Sequence, residues 1–197
     1  MVAHPNPEIE LEYKNAYTLL VAVVLSAQAT DKQVNKITPA IFEEVSTPAE
    51  MLQLGESWLF EKISSINYNK TKAKNIIKLS SELIEKFSGE VPSAREDLES
   101  LAGVGRKSAN VILNSIFKIP TIPVDTHVFR VSNRIGVVHE SNVLKTEHAL
   151  IKAIPVKYGL EAHHLFVLHG RYICKAIKPK CTSCNISHIC KYDAKTS

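Results

Sequence analysis

No cysteine precedes residue 174 in this 197-residue chain, so disulfides cannot staple the first 173 residues. That stretch must stand on a hydrophobic core of its own. No uncharged apolar run approaches ~18 residues, which excludes a helical membrane span. The opening MVAHPNPEIELEY has no basic start followed by an apolar core, so no secretory signal peptide is expected and the chain is read as cytoplasmic. Low-complexity tracts, repeats of fixed period and convincing strand alternation are also missing. What remains is a globular chain with 45% hydrophobic residues, long enough for one large or two small domains.

Net charge is small in total and uneven in place. The net charge is +4, but residues 1–100 balance at −5 and residues 101–197 at +9. A basic half suits a polyanionic partner or an ordinary solvated face, and charge alone does not choose between them.

Helix punctuation is frequent. TDKQ (30–33), TPAE (47–50) and SARE (93–96) fit the capping-box pattern, with Pro48 at a first helical position. Gly55, Gly89 and Gly136 follow helical patterns and are expected as C-caps. Over residues 70–87 the period places Ala73, Ile76, Ile77, Leu83, Ile84 and Phe87 on one face, with lysines and glutamates opposite. AYTLLVAVVLSAQ (16–28) is apolar nearly all round, which fits a central buried helix better than a buried strand. Further helices are expected near 126–135, 145–154 and 161–173. The expected class is all-α, with about nine or ten helices joined by short loops.

Chemistry concentrates in three places. The first is LAGVGRKSANVIL (101–113), where AGVG turns the chain between two helices. Leu98 and Leu101 face inward from the first helix; Ala109, Ile112, Leu113, Ile116 and Phe117 form a stripe on the second. This is a helix–hairpin–helix pattern spanning about 94–117. Gly103 and Gly105, flanking Val104, permit unusual backbone angles and leave amides bare. Bare amides at a helix N-terminus suit a phosphodiester, although an ordinary glycine turn fits the same letters. Lys107 points almost opposite the apolar stripe. The helix N-terminus, the neighbouring Arg106 and partial desolvation in a cleft would all favour its free amine, a nucleophile for imine chemistry. A surface lysine contacting phosphate is the competing reading.

The second place is PTIPVDTHVFRVSNRIG. Asp125 precedes a helix with Val128, Val131 and Ile135 on its inner face, and Asp is a favoured N-cap. A carboxylate there also suits support of an oxocarbenium-like sugar or proton transfer at an amine. His127 reads as a packing or phosphate-contacting residue. The third place is CKAIKPKCTSCNISHIC, spaced C-x6-C-x2-C-x5-C. Cys174, Cys181, Cys184 and Cys190 suit a [4Fe–4S] cluster or a tetrahedral zinc. Only one pair has the C-x2-C spacing of a zinc knuckle, which tilts the choice towards iron–sulfur. Lys175, Lys178 and Lys180 lie in the loop between the first two ligands, where they are credible phosphate contacts.

Taken in order, LLVAVVLSAQATD, GEVP, GVGRKSANV, VDTHVFRVSNR, HGRY and the cysteine spacing resemble the endonuclease III family of helix–hairpin–helix DNA glycosylases with an associated lyase. The resemblance runs from about residue 17 to the C-terminus. It implies a six-helix barrel domain over 9–119 and a cluster domain over 120–197 that also takes residues 1–8, with the cluster loop at 174–190. It implies Lys107 as the Schiff-base nucleophile, Asp125 as the partner carboxylate and the four cysteines as ligands of a [4Fe–4S] cluster. Gln28 would fill the gap left by an extruded nucleotide. The implied partner is double-stranded DNA with oxidised pyrimidines or abasic sites, bound by a monomer (at the nucleoid in a bacterium). DNA contacts are expected from Gln28, Tyr68, Gly103, Val104, Gly105, Arg106, His127, Lys175, Lys178 and Lys180. Three departures stand out. Ala102 replaces a proline common before GVG, which should loosen the hairpin slightly. Asn67-Tyr68-Asn69-Lys70 replaces a Gly-Leu-Tyr-Asn wedge loop, making Tyr68 the wedge by position. A further N-terminal helix usual in the family is not matched here.

Overall fold

Asn15 begins the first helix of the computed structural model, which describes residues 8–196. Its side chain accepts from the Thr18 amide while Thr18 answers to the Asn15 amide, a reciprocal cap that the sequence patterns above do not include. The helix it starts, α1 (Ala16–Ser26), is buried at every position from Tyr17 to Leu25. Thr30 and Thr47 cap α2 (Asp31–Glu44) and α3 (Pro48–Lys62) through the expected boxes with Gln33 and Glu50. Then follow α4 (Asn69–Phe87), α5 (Arg95–Ser100) and α6 (Arg106–Ser115). Beyond them come α7 (Thr126–Ile135), α8 (Val143–Ala153), a 3-10 turn (Val156–Tyr158) and α9 (Gly159–Tyr172). No strand occurs among the described residues, so the class is all-α.

The chain divides into two compact units. One is Glu10–Phe117; the other holds Glu8, Ile9 and the chain from Lys118 onward. Residues 1–7 of the expected cluster domain lie outside the described residues. In the first unit α1 is central and packs on α2, α4 and α6, while α3 packs on α4 and α5 on α6. In the second, α7 packs on α9. Its small core is Ile122, Val124, Val128, Val138, Leu150 and Ala162, with Phe129, Ala149, Ile154, Phe166 and Val167 against it.

Several local expectations are corrected. Gly55, at φ +82, does end a helical run, but a second run follows at once, so α3 is two helical pieces joined at a kink. Ser88, itself left-handed, is the C-cap of α4, with Gly89 one residue beyond, whereas Gly136 does cap α7. The SARE box does not form; Ala94 is the N-cap of α5 and supplies no side-chain bond. On α4, Ile84 is exposed, and Lys72, assigned to the polar face, is buried instead. Its ammonium finds a carbonyl partner inside, which periodicity cannot foresee.

Candidate functional site

The hairpin between α5 and α6 is built from few contacts. The Val104 amide donates to the Leu101 carbonyl at 3.1 Å and turns the chain. Gly103 sits at φ +80, and a Cβ there would meet the Asn75 side chain at 3.0 Å. Both facts call for glycine at this position. Gly105 differs from its expectation. It is the N-cap of α6 in ordinary extended backbone, and nothing lies within 4 Å of where a Cβ would stand. Its value is emptiness: Gly105 offers no side chain and α6 has no side-chain cap bond, a helix start of the kind that suits an anion.

Ala102 does not simply loosen the turn. Its amide donates to the Glu82 carboxylate at 2.8 Å, tying the hairpin to α4 by a bond that proline could not make. Arg95 Nε donates to Asn110 Oδ1 at 2.9 Å and joins α5 to α6. Arg106 and Lys107 open α6, and Lys107 is exposed.

Elsewhere in the same unit, two exposed loops meet. Gln28 (φ +55) follows α1, and Tyr68 (φ +58) precedes α4 without a side-chain cap. Asn67 Nδ2 donates to the Gln28 carbonyl at 3.4 Å, bringing the two loops side by side. Tyr68 is 64% exposed, a large ring held out in solvent on a fixed backbone.

In the second unit Asp125 is the N-cap of α7, with Oδ1 accepting from the Val128 amide at 2.8 Å. The cap engages one carboxylate oxygen and fixes the direction of the other. His127 is the second residue of α7, its Nδ1 at 3.2 Å from Arg130 Nη2. Arg130 also donates to the carbonyls of Gly170 and Cys174. Gly170 lets α9 approach closely, since a Cβ there would meet His127 at 3.0 Å.

The four cysteines are unpaired and line one recess that opens to solvent. Among the described residues, no three His, Cys, Asp or Glu converge tightly enough to hold a single metal ion. Four thiols lining one recess are a donor set that suits either an iron–sulfur cluster or a tetrahedral metal. Side chains from α7 and α9 reach the rim. Arg134 Nη1 approaches Cys174 Sγ at 3.8 Å and donates to the Lys175 carbonyl at 2.8 Å. The same guanidinium lies over Tyr192, 4.5 Å from the ring centre. His169 Nε2 lies 3.7 Å from Cys184 Sγ. Lys175, Lys178 and Lys180 are exposed on the loop. Arg130, Arg134 and His169 are contributions that residue-by-residue reading missed. Their only signal was position within VDTHVFRVSNR and HGRY.

Comparison with known proteins agrees with this architecture. Residues 21–155 match the HhH-GPD superfamily of base excision DNA repair proteins. Endonuclease III of Haemophilus influenzae is 50% identical over 98% of this chain and 91% of its own length. The Escherichia coli K12 enzyme is 47% identical over the same shares. A solved endonuclease III–DNA covalent intermediate superposes with a TM-score of 0.90 at 45% identity, covering 95% of this chain and 89% of that one. With helices, hairpin and thiol recess in place, these likenesses over nearly the whole chain make it a member of the endonuclease III family of base excision DNA repair enzymes.

Proposed function

We propose that this chain is a bifunctional DNA glycosylase and abasic-site lyase that removes oxidised pyrimidines from duplex DNA. The observation that carries the reading is the pairing of uncapped α6 amides with an exposed lysine one residue into that helix. The amides receive a phosphate, and the lysine then stands beside the sugar that the phosphate carries.

The chemistry follows from these groups. A base within the stack hides its glycosidic bond, so the nucleotide must be extruded, at a cost of a few kcal/mol. Damaged bases stack poorly and cost less, which contributes selectivity. Gln28 and Tyr68 fill the gap and offset the rest. The Lys107 amine attacks the sugar C1′ as the C1′–N bond to the base breaks, and the Asp125 carboxylate steadies the positive charge developing on the sugar. Loss of an amine proton and breaking of the C1′–O4′ bond, whose oxygen takes up a proton, open the sugar to an imine, which acidifies the C2′ hydrogen. Loss of that proton expels the 3′ phosphate, and the strand is cleaved by β-elimination. Arg106, His127 and the amides of Gly103, Val104 and Gly105 hold the backbone throughout. The likeness to a trapped covalent endonuclease III–DNA intermediate supports a covalent route.

Cys174, Cys181, Cys184 and Cys190 would hold a [4Fe–4S] cluster, whose contribution when bound is structural, ordering the loop that presents Lys175, Lys178 and Lys180 to phosphates. We further read the protein as a cytoplasmic monomer; no described helix is long and apolar enough to cross a membrane. Borohydride trapping on thymine-glycol and abasic duplexes tests the proposal. A covalent adduct is expected with the native chain and none with Lys107→Gln. An adduct undiminished in that variant would end the lysine mechanism.

A further inference from the structure

Lys72 is a buried lysine that the mechanism does not use. Its ammonium donates to the Leu25 carbonyl at 2.8 Å. Leu25 is itself fully buried, in the last turn of α1, three residues before Gln28. The neighbouring carbonyls of that turn have local partners: Val23 accepts from the Ser26 hydroxyl, Val24 from the Ala27 amide and Ser26 from the Ala29 amide. The bond to Leu25 instead crosses from another helix. α1 carries no basic residue in its last turn, so Lys72 also supplies the cation that a helix C-terminus favours. At its other end Lys72 is tied to the second loop, because its amide donates to the Tyr68 carbonyl at 2.9 Å. One residue therefore grips the roots of both exposed loops. At the rim, Asn67 makes the second tie, to the Gln28 carbonyl.

We propose that Lys72 is a positioning residue which, with Asn67 at the rim, fixes the spacing of Gln28 and Tyr68 so that both enter the gap of an opened duplex together. The inference rests on the reading of those two residues as gap fillers. Burial keeps Lys72 from touching phosphate, so its effect is confined to substrates with a stack to be filled.

The test compares the native protein with Lys72→Met, Lys72→Arg and Asn67→Ala. Base release is followed from a thymine-glycol duplex, and strand cleavage on a single-stranded abasic oligonucleotide, where no stack exists. 2-Aminopurine placed opposite an abasic site reports gap filling on binding alone, so it judges Lys72 even if the native chain proves inactive. Lys72→Met is expected to lose about tenfold to hundredfold on the duplex, the scale of a small misplacement, and less than about twofold on the single strand. Lys72→Arg keeps a cationic donor and should recover most of the loss. If Lys72→Met does not fold, Asn67→Ala decides, since it removes only the exposed tie; a loss of a fewfold confined to duplex is expected. Equal losses on both substrates, or an unchanged 2-aminopurine signal in folded variants, would overturn the positioning role. A native protein that releases no base and traps no adduct would instead overturn the enzymatic reading.

Discussion

The two units of this chain solve the problem of order differently. Every one of the largest fully buried side chains, from Leu19 to Ile112, belongs to Glu10–Phe117. From Cys174 to Thr196, Pro179 alone is buried, and no helix or strand forms. The first unit is held by apolar burial, the dominant favourable term in folding. The thiol segment has almost nothing to bury. It is held by directed bonds: Arg134 to the carbonyls of Lys175 and Ala176, Lys191 to the Ile135 carbonyl, and the cysteine sulfurs to their neighbours. On the proposed function, each unit has the kind of order that its own chemistry needs. A nucleophile needs a rigid helix start, whereas a cofactor can itself be the core of the segment that binds it.

The sharpest separation should come from Asp125→Asn. Asparagine caps a helix as well as aspartate, so α7 keeps its start and its stability to within a few tenths of a kcal/mol. Base release should nonetheless fall by roughly 10²–10⁴-fold, the usual worth of a catalytic carboxylate. A clear loss of thermal stability with base release unchanged would return Asp125 to a purely structural role. Next in size, Arg134→Gln should weaken cluster retention by roughly tenfold to hundredfold, as loss of an outer-sphere donor does elsewhere. Iron and sulfide per chain measure this, and the far-ultraviolet helical signal of the first unit should persist. Joint melting of both signals would mean that the apolar unit cannot stand without its neighbour.

Within the first unit, Gly105→Ser offers a smaller and opposite effect. The new hydroxyl has room and would cap α6, so thermal stability should hold or rise slightly. DNA affinity should drop about tenfold, because a hydrogen bond to a charged phosphate is worth about 1.5–3 kcal/mol. Unchanged affinity would show that phosphate does not use those amides. The smallest effect is expected in the second unit. Burial, aided by the Lys118 charge, lowers the pKa of His164. The folded chain therefore prefers the neutral ring. The stability this gives is complete above the ordinary value of 6.5 and is lost as the pH falls through the lowered folded value. Its slope should not exceed about 1.4 kcal/mol per pH unit. Melting curves on either side of pH 6.5 should show a shallower acid loss in His164→Gln.

Much of this architecture can be read before any coordinates exist, because helix starts and apolar periods are local. The boxes at Thr30 and Thr47, the buried run after Asn15 and the span of α7 depend on neighbours within a turn or two. What escaped the sequence involves distant partners. Nothing near Lys72 says that a carbonyl 47 residues earlier will accept its ammonium. Nothing in VFRVSNR says that two arginines will serve the thiol segment some 40 residues later. Ser93 fails as a cap for a subtler reason: a short α5 starts one residue later than the pattern suggests. At the site, residue identity came from motif order. What each group touches came only from the fold.

The amide of Ala102 carries a consequence of its own. A proline ring would make the hairpin stiff by covalent geometry, whatever surrounds it. Here stiffness is delegated to a carboxylate on α4, so the turn's rigidity is reversible and can be dialled by editing a residue twenty positions away. Glu82→Gln should make a suppler hook, and Ala102→Pro a permanent one that leaves Glu82 without its amide partner.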